Sequence, residues 1–161
     1  MELSDLQMKG CTFQVQQTQT GEFTSKGQDK ISFLIAPNIG EELRPLSKIA
    51  SGGELSRIML AIKCIMAKAD SNETYVFDEI DTGISGQASE KVAQKLEKVS
   101  LEKQTIIITH SGTIAAMADH HYLIQKAVKE GRTVTTVKRL DWKGRVMEIA
   151  RLSSGGQITE T

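Results

Sequence analysis

Two carboxylates, Asp78 and Glu79, stand directly after the run Thr74-Tyr75-Val76-Phe77. A short, mostly apolar run of that kind suits a fully buried strand. The C-terminal edge of a parallel sheet is where such folds bind ligands. One carboxylate there suits Mg²⁺, a hard cation that takes oxygen ligands and keeps several waters. The other is placed to orient or deprotonate an attacking water. A helix-initiating acidic loop is the plainer alternative. An EF-hand counted from Asp78 fails, because Ile80 and Thr82 stand where oxygen-rich acidic or amide ligands are needed.

Upstream, Ser51-Gly52-Gly53-Glu54 opens a strongly periodic apolar segment. A capping box explains part of it, with Ser51 capping a helix and Glu54 reaching back three residues later. Capping does not require two consecutive glycines, which cost stability. Bare glycine backbone at a positive helix end lets an anion approach the N–H groups, and Ser51 adds a hydroxyl. That arrangement suits a phosphate. Downstream, His110 follows a second apolar run, Thr105-Ile106-Ile107-Ile108-Thr109. If the two runs are adjacent parallel strands, His110 stands beside Asp78 and Glu79, placed to stabilise a transferring phosphate. A hydrogen-bonded structural histidine is the alternative. His120 and His121 read as structural or surface residues.

The elements that must hold these residues follow from pattern. Cys11-Thr12-Phe13-Gln14-Val15-Gln16 and Ile31-Ser32-Phe33-Leu34-Ile35 alternate as strands, with residues 17–30 as a hairpin connection. Leu55, Ile58, Met59, Ile62, Ile65, Met66 and Ala69 form one helical stripe, ended by Asp70-Ser71-Asn72. Cys64 reads as a small buried thiol in that helix. Arg57, in its first turn, reads equally as a phosphate contact or a solvated side chain. A helix over 86–99 turns Val92, Ala93, Leu96 and Val99 inward, and a short one spans 113–118. Residues 121–125 and 133–137 suggest a hairpin turning at 129–132. A last helix covers 144–152, with Gly155-Gly156 as its stop and Trp142 in the core. Strand–helix–strand alternation in the middle argues for a parallel α/β layer with antiparallel pieces at both ends.

Bulk properties narrow the class. At 161 residues the length prior is one domain with room for a core. Twenty basic and twenty acidic residues cancel, so global charge gives no support for a nucleic-acid surface. Lys126, Lys129, Arg132, Lys138 and Arg139 gather near the late hairpin; a solvated face is the first reading and a DNA contact the alternative. Two cysteines make neither a disulfide framework nor a metal cluster, and there is no signal peptide or membrane-length apolar run. The chain reads as cytoplasmic, without a membrane partner. No Gly-x-x-x-x-Gly-Lys-Ser/Thr loop occurs, so half of a nucleotide site is missing.

Four segments together resemble one family. They are residues 45–57, ending in Ala50-Ser51-Gly52-Gly53-Glu54-Leu55-Ser56-Arg57, and Phe77-Asp78-Glu79-Ile80-Asp81-Thr82-Gly83-Ile84-Ser85-Gly86. Met117-Ala118-Asp119-His120-His121-Tyr122 and residues 144–152 complete them. The chain is similar to the RecN family of bacterial DNA repair ATPases, SMC-like members of the ATP-binding-cassette (ABC) class. The resemblance runs over essentially the whole chain, and the string at 81–86 is its distinctive part.

The resemblance implies an α/β fold: the C-terminal lobe of an ABC-type P-loop ATPase head, with a parallel-sheet core and flanking antiparallel strands and helices. Residues 1–161 would be a single domain, with 3–8 leaving a coiled coil and Thr161 ending short of a further helix. The cofactors would be ATP and Mg²⁺. By position, Asp78 would hold the metal through water and Glu79 would be the general base. His110 would sit near the γ-phosphate. Ser51, Gly52, Gly53 and Glu54 would contact ATP bound on the opposite subunit, and Asp81 would communicate across the dimer. Implied partners are an N-terminal Walker A lobe of the same protein, a second head, and DNA at double-strand breaks, in a bacterial, nucleoid-associated setting. The fragment alone would not turn over ATP.

One departure is Ser111-Gly112-Thr113, where the family more often has a Leu-Pro-Gln type stretch. A non-catalytic module lending its signature motif to a partner ATPase head would explain the missing loop, yet it leaves Glu79 and His110 without a purpose. Another SMC-type head fragment fits the string at 81–86 and the His120-His121-Tyr122 segment less well.

Overall fold

The first strand of the chain alternates only at its start, then turns polar on both faces. The computed structural model, which describes residues 2–6, 8, 10–49, 51–84, 86–129 and 131–154, shows it to be long: β1 spans Thr12–Thr24. It pairs antiparallel with β2 (Gly27–Ala36), and β2 with the short β3 (Arg44–Pro45). The expected connection at 17–30 is thus mostly strand. Thr24 pairs with Gly27 across the tight turn, and the register shifts between Gln19 and Thr24, around Gly21 at φ 73°. Such a bulge lets a ribbon twist. The alternation rule missed the extension because an exposed ribbon has no buried face to mark.

The base of this ribbon is anchored by apolar burial. Ile35, Met8 and Ile58 form a buried cluster, with Phe13, Leu46 and Ile62 against it. Ile58 belongs to α2 (Gly52–Met66), the helix expected from the stripe. A four-residue helix, α1 (Glu2–Asp5), precedes the ribbon, and Asp5 pairs with Lys95 at 3.0 Å. Lys95 lies on α3 (Gln87–Ser100), whose Val92, Ala93, Leu96 and Val99 are buried as expected.

Two parallel strands complete this part: β4 (Thr74–Phe77) and β5 (Gln104–Ile107), with Phe77 opposite Ile107. Alternation along β4 buries Tyr75 and Phe77 and leaves Val76 exposed. Helix α2 runs antiparallel to β4: Lys63 Nζ sits 4.5 Å from the Tyr75 ring centre, and Ser56 Oγ donates to the Asp78 carbonyl at 2.7 Å. Lys63 thus already covers the second residue of β4, and the last turn of α2 runs on past the strand. Ile65 and Met66, expected inside, are exposed for that reason, and Cys64 is half-buried.

The chain divides into two compact units, Met1–Ile108 and Thr109–Thr161. In the second, α4 (Gly112–Ala116) packs on α5 (Trp142–Ser153), and β6 (Tyr122–Lys129) pairs antiparallel with β7 (Arg132–Arg139). Trp142, expected in the core, is exposed at the first position of α5. His120 Nδ1 lies 2.9 Å from Arg139 Nη2. The two-pronged Arg151 pair at 2.9 and 2.5 Å holds the Glu148 carboxyl below its usual range, with His121 a minor contributor. His120 is exposed and His121 half-buried. Ala50, Ser85, Gly155-Gly156 and the run to Thr161 lie outside the described residues. No described helix is long and apolar enough to cross a membrane.

One polar cluster closes the far end of the first unit. Asp70 pairs with Lys63, accepts from the Asn72 N–H at 3.0 Å and from the Tyr75 hydroxyl at 2.9 Å. Lys63 first, then Asn72 and Tyr75, drive its carboxyl well below the usual carboxylate range. A depressed acid stabilises the fold above its unfolded pKa, near 3.9, and the contribution fades as pH falls towards the native value. Asp70→Asn should therefore lower the melting temperature at pH 7, and the gap from the parent should narrow below about pH 4. Circular-dichroism melts of both chains at pH 7 and pH 3 check this.

Candidate functional site

Helix α2 begins where the sequence places a cap. Ser51 is extended, and its Oγ accepts from Glu54 N at 3.3 Å, so the capping half of the motif is real. Capping uses Glu54 N only. By helix geometry the first-turn N–H groups of Gly52 and Gly53 have no partner within the helix, and they make the positive end of its dipole.

The two glycines have different neighbours. A Cβ on Gly52 would fall 2.7 Å from Glu79 Oε2, so that carboxylate occupies the space a side chain would take. A Cβ on Gly53 would fall 2.8 Å from the Thr82 carbonyl oxygen and 3.2 Å from Arg57 Nη1. The tight turn after β4 therefore packs directly on the opening of α2, and glycine is what lets it approach. The residues expected to meet phosphate and the residue expected to activate water converge within one unit.

Asp78 is exposed just beyond β4, where the parallel pair ends. Glu79 follows with φ 56°, the one non-glycine residue in the left-handed region among those described. Its carbonyl accepts from Thr82 N at 3.0 Å, closing a turn over 79–82. Ile80 and Asp81, inside that turn, are buried. Among the described residues no three His, Cys, Asp or Glu side chains gather as a metal cluster. The donor set here is a single exposed carboxylate, Asp78. That fits Mg²⁺ only where waters and phosphate oxygens supply the other ligands, as is usual for this ion.

His110 is exposed and opens the second unit. β5 extends by one hydrogen bond beyond the ladder, Ile108 N to the Phe77 carbonyl at 2.9 Å. The residues after His110 explain the departure seen in sequence. Ser111 caps α4, accepting from Ile114 N at 3.5 Å. Gly112 lies so close to α5 that a Cβ would meet Ser153 Oγ at 2.5 Å and the Ile149 carbonyl at 3.2 Å.

Sequence reasoning left Arg57 undecided. It is buried, and its Nη1 donates to the Thr82 carbonyl at 2.8 Å. Burial pulls the guanidinium pKa down, with nearby Glu54 acting the other way. A signal was present: Gly53, Arg57 and Ala61 fall at four-residue steps on one helix face, and all three are buried.

No protein-family model matches the chain. Among curated proteins, it is 48% identical over 139 residues to the DNA repair protein RecN of Bacillus subtilis, covering 86% of this chain and 24% of that protein. It is 40% identical over 163 residues to RecN of Halalkalibacterium halodurans, covering 99% of this chain and 29% of the relative. The chain thus spans 24–29% of the length of these relatives. Among solved structures, the Smc head domain with a coiled coil and joint from Pyrococcus yayanosii aligns over 94% of this chain and 28% of its own, with a TM-score of 0.63 and 20% identity. The chain shares the mixed α/β fold of the matching part of that Smc head domain, with one parallel strand pair and antiparallel strand pairs.

The glycine contacts predict an asymmetry. Gly53→Ala must displace the Thr82 backbone and should destabilise the chain by roughly 1–3 kcal/mol, the usual range for overpacking. Gly52→Ala meets only the far end of Glu79's flexible side chain and should cost clearly less. Urea unfolding of the two variants compares them directly.

Proposed function

We propose that this chain is the C-terminal lobe of a RecN-type ATPase head, working in a longer protein that uses ATP in DNA double-strand break repair. The observation that carries the reading is the approach of Glu79 to Gly52: a carboxylate beyond a parallel strand, set at the bare positive end of a glycine-opened helix. The carboxylate expected at this head's nucleotide thus lies beside the helix end expected to meet the second head's nucleotide. The similarity to the RecN proteins supplies the biological setting.

In this mechanism Asp78 would hold Mg²⁺, which would neutralise phosphate charge, and Glu79 would take the proton of the attacking water. His110 would act on the γ-phosphate, as the resemblance to RecN implies. Bound ATP and Mg²⁺ supply the phosphoryl group and the charge neutralisation; the chain's residues position and polarise. Ser51, Gly52, Gly53 and Glu54 meet ATP carried by a second head, and Asp81 supports the turn that links the two sites. Nucleotide binding then joins heads and hydrolysis releases them. DNA is the partner of the assembled protein, in the bacterial cytoplasm.

Support for a missing lobe comes from bare apolar surface. Parallel sheets are ordinarily covered on both faces, yet Val76, Ile106 and Ile108 of the β4–β5 pair are exposed, Val76 at 63%. A lobe bearing a Walker A loop would supply both the phosphate-binding loop absent from the sequence and a cover for such a face.

Steady-state ATP hydrolysis by this chain, alone and mixed with a separately produced Walker A lobe, tests the proposal. Activity is expected only in the mixture, and Glu79→Gln should reduce it by about 10²-fold or more. In the full-length protein the same variant should accumulate ATP-bound dimers. Stable association of the lobes without turnover would favour a non-catalytic module instead.

A further inference from the structure

The turn that presents Glu79 is held at both ends by adjacent residues of α2. Ser56 Oγ donates to the carbonyl of Asp78 at 2.7 Å, and Arg57 Nη1 donates to the carbonyl of Thr82 at 2.8 Å. Between those anchors lies Glu79 in its left-handed conformation, which is strained for a non-glycine residue and persists only where surroundings enforce it. The turn's own hydrogen bond, Thr82 N to the Glu79 carbonyl at 3.0 Å, closes the loop without fixing it to the helix. The two side-chain bonds do that.

Arg57 shows that the tie is not incidental packing. The side chain is only 7% exposed, and its Nε is buried without a hydrogen-bond partner. An unsatisfied buried donor is destabilising, and such groups in native structures call for an explanation. An apolar residue between Gly53 and Ala61 would avoid that cost and pack the same helix face. What it would lack is the donor to Thr82.

We infer that Ser56 and Arg57 are positioning residues for hydrolysis: together they fix the 78–82 turn against the opening of α2 and so aim the Glu79 carboxylate. This rests on Glu79 acting as the general base. The two residues act through the backbone carbonyls of Asp78 and Thr82. Their loss should slow the chemical step and leave ATP binding in place, because misplacement of a reacting group by about an ångström can cost 10²-fold in rate.

The test uses the full-length protein, with ATP turnover, KM for ATP, bound ATP per head and melting temperature measured on each variant. Arg57→Ala should lower kcat roughly 10–100-fold, with KM and bound ATP per head little changed. Arg57→Lys, which can still donate to the Thr82 carbonyl, should recover part of the loss. Ser56→Ala, at a half-buried site, should lower kcat several-fold with little change in melting temperature. If Arg57→Ala does not fold, Arg57→Lys and Ser56→Ala decide between them. A parent whose turnover is abolished by Glu79→Gln but whose kcat is indifferent to both these variants overturns this inference alone. So does a fall in kcat matched by an equal fall in bound ATP per head, which is the mark of a merely structural role. A parent that does not hydrolyse ATP, or one indifferent to Glu79→Gln, overturns the functional reading itself and this inference with it.

Discussion

The site depends on a match of lengths between one helix and one strand. Lys63 lies over Tyr75 and Ser56 meets Asp78, so seven residues of α2 span the same distance as three residues of β4. At 1.5 Å per helical residue and about 3.3 Å per strand residue, those spans are about 10.5 Å and 10 Å. The antiparallel return therefore brings the end of β4 back to the first turns of α2. An insertion of one residue in either span would rotate or shift every contact at the site. The Asp70 cluster fixes the far end of this pairing, where Lys63, Tyr75 and Asn72 all converge on one carboxylate.

From that pairing the roles of the glycines divide. Gly53 is a packing residue: the Thr82 carbonyl comes where its Cβ would be. Gly52 faces a carboxylate rather than backbone, and its neighbour can move. A helix end carrying partial positive charge attracts an anion whether the anion is a side chain or a phosphate. In this structure Glu79 takes that place. The same two glycines thus serve the fold and leave a polar opening, which is why a capping-box explanation alone was insufficient for the sequence.

Legibility followed burial. Val92, Leu96 and Val99 were placed correctly because α3 has one buried face and the 3.6-residue period shows it. The parallel pair was readable from two short apolar runs, and Asp78 and Glu79 from their position after one of them. Residues 17–30 were misjudged because Gln and Thr on an exposed ribbon carry no alternation. Ile65, Met66 and Trp142 look like core in sequence and are exposed in the structure, since a pattern reports which face is apolar and not whether anything lies beneath it. Arg57 was undecided for the converse reason: a cation on a buried face is recognised only when its acceptor, a backbone carbonyl twenty-five residues away, is known.

Glu79 combines backbone strain with the role proposed for it. A glycine at that position would adopt φ 56° without cost, and stability alone would favour it. The carboxylate is retained, and the surrounding contacts are arranged to hold it: a closed turn beneath, an open glycine ahead, and two side chains of α2 on the flanking carbonyls. Such an arrangement makes sense where the direction of one carboxylate matters more than the local energy of its backbone, and proton abstraction from a positioned water is a task of that kind.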